Sequence, residues 1–191
     1  MWSYHYEASG WTPASPTQVF EHLDDHTRLS SHMSKSSWKM GGGKMDMQFD
    51  ARGGRSVGSQ IRLSGRVFGM ELSVQEAVTE RDPPRRKSWE TIGRPRLLVI
   101  DQYRLGFEVI PSGSVSNVRV FIDYELPRQG LEWFCGLLFG HAYARWCTRQ
   151  MVRDAIAHFA QGSASDVSQT LQCHRRGWGG GAKVKEKSLS T

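Results

Sequence analysis

Between Leu126 and Leu131 the chain changes period, and no other feature narrows its possible folds so far. In residues 117–126, Val118, Val120, Ile122, Tyr124 and Leu126 share one face, while Arg119, Asp123 and Glu125 share the other. That two-residue alternation is a strand with one wet and one apolar side. From Leu131 to Ala160 there is no proline, and the only glycines are Gly136 and Gly140. At 100° per residue, Trp133, Leu137, Gly140, Ala144, Cys147, Thr148, Met151, Ala155 and Phe159 gather on one side of a helix, and Arg145, Arg149 and Arg153 on the other. Such a helix, with Gly162 as its expected stop, has about 30 residues and a length of roughly 45 Å.

Near the start of the chain, Ser15 can N-cap a helix, Pro16 suits its first position, and Gln18 can close a capping box. Val19, Phe20 and Leu23 then fall on one face, and Asp24 or Asp25 can cap a second short helix running toward Met33. Residues 2–9 read as an edge strand before this pair.

Further strand patterns fill the space up to residue 126. Residues 44–49 alternate after Gly41-Gly42-Gly43, and Gly53-Gly54 marks a turn. Ile61, Leu63 and Val67 share a parity. So do Met70, Leu72, Val74 and Val78, with Glu76 breaking that face and suggesting a bulge. Pro83-Pro84 ends this strand. A short one over residues 87–92 carries Trp89, and a long one over residues 97–110 carries Val99, Tyr103, Leu105, Phe107 and Val109 on one face.

The order is therefore strand, two short helices, about six strands and a long helix. An antiparallel sheet of that size has a large apolar face to cover, and only the last helix is long enough to cover it. The expected fold is α+β: a curved antiparallel sheet of about seven strands wrapped around a long C-terminal helix. Gly140, Ala144, Cys147 and Ala155 make the middle of that helix slim, so the sheet and helix would enclose room for a ligand.

Three stretches carry a resemblance to a known family: Ala14-Ser15-Pro16 with Val19-Phe20 and Leu23-Asp24-Asp25; residues 80–86 (ERDPPRR) before Trp89-Glu90; and Tyr143-Ala144-Arg145-Trp146. Over roughly residues 3–160 the chain resembles the helix-grip superfamily of START-type lipid-transfer domains, pollen-allergen-like proteins and polyketide cyclases/dehydratases, the SRPBCC group. The resemblance implies a bound lipid, hormone or aromatic polyketide. It implies no shared catalytic triad, because some members are enzymes and many only bind or deliver.

Composition limits the alternatives. Residues 161–191 contain Arg175, Arg176, Lys183, Lys185 and Lys187 against Asp166 and Glu186, so half of the net +6 lies in this tail. A body that weakly basic is no nucleic-acid footprint. The expected organisation is one domain over residues 1–162 and a basic Gly/Ser-rich disordered tail over residues 163–191. Met1 to His5 has neither a basic start nor an apolar core, so no signal peptide is expected, and no apolar run is long enough to span a bilayer. Three cysteines without paired spacing fit a reduced, cytoplasmic setting.

The expected pocket-lining residues are Trp89, Tyr103, Phe107, Ile122 and Tyr124 on the sheet and Ala144, Thr148 and Met151 on the helix, with Cys147 beside them. The expected partner is a small hydrophobic molecule, with no cofactor and no metal. His22 and His26 have a metal-ligand spacing, but Leu23 stands where the HExxH pattern needs glutamate. An enzymatic alternative would use one inward acid–base group, Glu76, Glu90 or Tyr103. A third reading uses the basic tail, or the apolar residues Phe134, Leu137, Leu138 and Phe139, to touch a membrane or a protein. The preferred role for those apolar residues is to plug one end of the grip.

Overall fold

The computed structural model describes residues 2–29, 44–67, 69–128 and 134–177, with side chains of the last helix described to residue 161. Its elements are β1 (Tyr4–Thr12), α1 (Pro16–Asp24), α2 (His26–Leu29), β2 (Lys44–Phe49), β3 (Gln60–Val67), β4 (Met70–Asp82), β5 (Arg86–Arg96), β6 (Tyr103–Ser112), β7 (Val115–Tyr124), a π-helical turn (Gly136–Gly140) and α3 (His141–Gly177). The strands form one antiparallel sheet in the order β1-β7-β6-β5-β4-β3-β2. The long pairing between β1 and β7 brings the first strand back beside the last, so α1 and α2 lie at one end and α3 runs across the concave face.

The capping box at Ser15 is formed: the Ser15 hydroxyl accepts from the Gln18 amide, and the Gln18 side chain accepts from the Ser15 amide at 3.1 Å. Val19, Phe20 and Leu23 are buried, and Phe20 meets Phe107 of β6 with ring centroids 5.5 Å apart. The inner face of the sheet supplies Ile61, Leu63, Val74, Val78, Trp89, Leu105, Phe107, Val109, Val118, Val120, Ile122 and Tyr124. From α3, Ala144, Cys147, Thr148, Met151, Val152 and Ala155 face this layer.

The outer face is wet and cross-linked by charge. Glu7 pairs with Arg119, Arg119 with Glu108, Glu108 with Arg86, and Arg86 with Glu80. Phe121 lies across Gly106 on this face, under the guanidinium groups of Arg86 and Arg104 at 5.3 and 5.9 Å. A Cβ at residue 106 would stand 2.5 Å from the Phe121 ring, so glycine is required for that ring to lie flat.

Four sequence expectations change. Residues 97–102 are not strand: β6 starts at Tyr103, and the apolar segment before it packs under the start of the last helix. There the Val99 carbonyl would be 3.3 and 2.7 Å from a Cβ at Gly136 and Gly140. Those two glycines, one π-helical turn long, let the backbone settle onto Val99, Leu126 and Pro127. The π turn also rotates the register, which takes Leu137 off the inward face predicted for a continuous α-helix and leaves it exposed. Trp133, predicted on the same face, lies outside the described residues. Glu76 does not break its strand face: bulges at Ser73/Gln75 and Val78/Glu80 flank it, and it points inward between Val74 and Val78. Finally, α3 runs through Gly162 to Gly177, so Gly162 is not the helix stop.

Candidate ligand-binding site

The sheet register sets Ile61 of β3, Glu76 of β4 and Thr91 of β5 side by side. The Thr91 hydroxyl accepts from the Tyr103 amide at 3.2 Å, which ties β5 to the start of β6 where the ladder opens. Tyr103 then reaches across Thr91, and its hydroxyl donates to Glu76 Oε1. The Trp89 indole N–H donates to the same carboxyl group. Glu76 is thus held by two neutral donors from two strands, and is only 4% exposed.

Across from them, α3 presents Tyr143 and Cys147, close enough that a charge on Glu76 raises the pKa of both groups. Burial does most of the shifting in this cluster. It pushes the Glu76 carboxyl up to about 7 against the opposing hydrogen bonds from Tyr103 and Trp89. It pushes the Cys147 thiol up to about 12, which leaves it a small apolar group and not a nucleophile. The Tyr103 and Tyr143 hydroxyls are raised well above 10, by burial first and then by neighbours that include Glu76. Yet both tyrosines keep part of their surface accessible. A hydroxyl so desolvated, on a side chain that is still partly open, fits an edge on an internal space better than one facing bulk water.

A second polar cluster joins α1 and α2 to the sheet. Lys87 is completely buried on the inner face of β5, two residues from Trp89, and donates to Asp24 Oδ1 at 2.6 Å and to the Asp24 carbonyl at 3.0 Å. Its Nζ stands 3.2 Å from His26 Nδ1. Arg81 adds two hydrogen bonds to the Asp24 carboxylate, at 3.2 and 2.9 Å. Burial works against the Asp24 charge, but these cations still hold its pKa below the usual value. The His26 ring packs edge-on against Trp89, with centroids 4.6 Å apart.

The expected site residues separate into groups. Trp89 and Tyr103 meet on Glu76, with Ala144, Thr148 and Met151 buried on the helix opposite the sheet. Phe107 packs on Phe20 of α1, and Ile122 is core next to Leu105. Tyr124 turns toward the π-helical end, where its hydroxyl lies 2.5 Å from His141 Nδ1 and its ring stacks on Tyr4. Of the three acid–base candidates, Glu76 and Tyr103 are together and buried, whereas Glu90 falls on the opposite strand parity. His22 and His26 sit in different helices. The ring of His22 stacks on His158, and His26 bonds to Lys87. Asp24, Lys87 and Tyr143 were missed. Strand parity already put Lys87 on the face of Trp89 and Thr91, and Tyr143 stands four residues before Cys147.

The plug expected at the start of the last helix is absent: Phe134, Leu137, Leu138 and Phe139 are 53–56% exposed. The π turn is the reason, since it commits Gly136 and Gly140 to the contact and turns the large side chains outward. No described helix is long and apolar enough to cross a membrane.

No family model and no curated protein sequence matches the chain. Solved structures do. Zhui aromatase/cyclase from Streptomyces sp. R1128 aligns at 12% identity with a TM-score of 0.62, over 83% of this chain and 94% of that one. A Thermus thermophilus protein aligns at 16% identity and TM-score 0.58, over 84% and 99%. The major latex-like protein 151 of Panax ginseng aligns at 13% and 0.52, over 82% and 97%. The chain shares the helix-grip fold of these solved structures. These identities are low enough that the helix-grip likeness establishes architecture alone, and the assignment of a role rests on the interior of this chain.

Proposed function

We propose that the protein binds and carries a small hydrophobic molecule, a lipid, isoprenoid or aromatic polyketide-like compound, between the sheet and α3. The observation that carries this reading is the Glu76–Tyr103–Trp89 cluster. A helix-grip interior that existed only to be packed would have no use for a buried carboxyl group bonded to two aromatic side chains. Partly open Tyr103 and Tyr143 on either side support a hollow between them. Trp89, Tyr103, Ala144, Thr148 and Met151 line it in this reading, within a domain spanning residues 1–162 and a cytoplasmic setting. The aromatase/cyclase and the latex-like protein among its fold relatives agree with an apolar ligand.

The test is native mass spectrometry of gently purified protein, with binding of 1-anilinonaphthalene-8-sulfonate as a second measure. A copurifying hydrophobic compound is expected, and Ala144→Leu, which fills the slim centre of α3, displaces it. Protein that carries nothing and takes up no probe refutes the reading.

A second reading, an enzyme of the cyclase or dehydratase kind, is favoured by one observation: a carboxyl group near pKa 7 can give or take a proton at neutral pH. In that case Glu76 acts and Tyr103 positions it. Peripheral membrane contact through Phe134, Leu137, Leu138 and Phe139 is compatible with either reading.

A further inference from the structure

We propose that the molecule held in the grip carries a protonated amine, which pairs with the Glu76 carboxylate while the apolar remainder fills the space toward α3. The proposal rests on the ligand-binding reading and narrows it to a chemical class.

Charge balance is the argument. Three carboxylates in the described residues are buried: Asp24, Glu76 and Asp123. Asp24 has Lys87 and Arg81, and Asp123 has Arg104 at 2.7 Å and His5 at 2.6 Å. Glu76, the least exposed of the three, has no cation among the described residues. Both of its protein partners, the Tyr103 hydroxyl and the Trp89 indole, are donors. The Trp89 indole can only donate, and the Tyr103 hydroxyl donates to the carboxylate but can accept from the carboxylic acid, so the cluster accommodates the anion above about pH 7 and the acid below it. Above about pH 7 the cluster therefore holds a negative charge that no described residue neutralises.

An ammonium group supplies what is missing. It donates to the free lone pairs of Glu76, a charge-assisted bond that an alcohol or carboxylate ligand would not supply. A ligand carboxylate would face Glu76 as a like charge. The apolar body follows from the neighbours of Glu76 on the sheet: Ile61 beside it, and Val74 and Val78 on its own strand face.

The groups facing Glu76 come from four elements: Ile61 on β3, Trp89 and Thr91 on β5, Tyr103 on β6, and Tyr143 and Cys147 on α3. The two hydroxyls and the thiol stay neutral up to high pH. Only Glu76 among them titrates between pH 5 and 9, so amine binding is tight above pH 7 and weakens below it, where the carboxyl group takes up a proton.

The experiment compares 2-naphthylmethylamine, 2-naphthylmethanol and 2-naphthoate by titration calorimetry on the full chain at pH 8 and pH 5.5. At pH 8 the amine binds about tenfold tighter than the alcohol, and the acid binds weakest. The advantage of the amine over the alcohol disappears at pH 5.5 and in Glu76→Gln. A readout that needs no variant is the carboxyl carbon of Glu76 by NMR: the amine lowers its pKa from about 7 to the ordinary carboxylate range. If the alcohol or the acid binds as well as the amine at pH 8, or if Glu76→Gln keeps the preference, the amine proposal is wrong while a binding site survives. If none of the three binds, both readings fail.

Discussion

Replacing Asp24 with asparagine tests how the helix pair is fastened to the sheet. The change keeps the shape and removes one negative charge from a site holding two cations. Arg81 keeps 28% of its side-chain surface accessible and can turn to water, but Lys87 has none. Its ammonium group would retain the residue-24 carbonyl at 3.0 Å and His26 Nδ1 at 3.2 Å, with no anion left. An uncompensated buried charge costs about 3–5 kcal/mol. For a chain of this size that lowers Tm by roughly 6–20 °C, at about 2–4 °C per kcal/mol. Lys87→Met costs less, about 1–2 kcal/mol, because Arg81 still holds the Asp24 carboxylate through two hydrogen bonds. The informative variant is the double one. With the charge at residue 87 also gone, Asp24→Asn/Lys87→Met should be more stable than Asp24→Asn alone by about 1–3 kcal/mol. Urea unfolding at pH 7 followed by circular dichroism measures all three. A double variant no more stable than Asp24→Asn, or an Asp24→Asn variant within about 1 kcal/mol of wild type, would refute the argument that Lys87 depends on this carboxylate.

Two further outcomes follow from the same geometry. Burial, and then the charge of Lys87, lowers His26 to about 3. In the unfolded chain it titrates near 6.5, so between these values the unfolded state binds the extra proton and stability rises with pH; lowering the pH from 6.5 to 5 should cost up to about 2 kcal/mol, seen as a falling urea midpoint that His26→Gln flattens. Gly140→Ala should destabilise by about 1–3 kcal/mol despite alanine's better helix propensity, because the new Cβ would stand 2.4 Å from Leu126 Cδ2 and 2.7 Å from the Val99 carbonyl; a variant as stable as wild type in thermal melts would mean that the π-helical turn is not seated there.

Most of the architecture was legible because it is written in short-range patterns. Ser15, Pro16 and Gln18 specify a helix start by local hydrogen bonding, and the observed cap uses those groups. The alternation expected from residue 117 appears in β7 up to Val120, although the strand ends at Tyr124, and Phe121 and Asp123 are buried on its other face; the six residues predicted for β2 are those observed. Patterns failed where tertiary contact overrode them. Residues 97–100 look like the start of a strand because they are apolar, but there the Val99 carbonyl serves the seat of the last helix. A fixed 100° step puts Leu137 inside, and the π turn turns it out. No short-range signal announces that turn beyond the pair Gly136 and Gly140, whose meaning depends on Val99 and Leu126 arriving from elsewhere in the chain.

The site shows a different failure. A charged residue in an apolar alternation reads as a break in the strand, although the parity of Val74, Glu76 and Val78, like that of Lys87, Trp89 and Thr91, places both charges inside. Hydropathy argues against burying either group, and in isolation that argument is sound. What separates the two is the partner. Lys87 is inside because Asp24, sixty-three residues away, meets it there. Glu76 is inside with two neutral donors and no cation among the described residues, so the same reasoning that explains Lys87 leaves Glu76 one charge short. In a sheet curved around a single helix, that deficit is the feature of the interior that packing does not explain, and it is where a ligand would act on stability as well as occupancy. Without ligand, the folded chain holds the Glu76 proton up to about pH 7 while the unfolded chain has released it above about 4.5, so this group's contribution to stability falls as pH rises between those values. A bound cation would lower the folded-state pKa, and the chain should then lose less stability between pH 5 and pH 7 in its presence than in its absence.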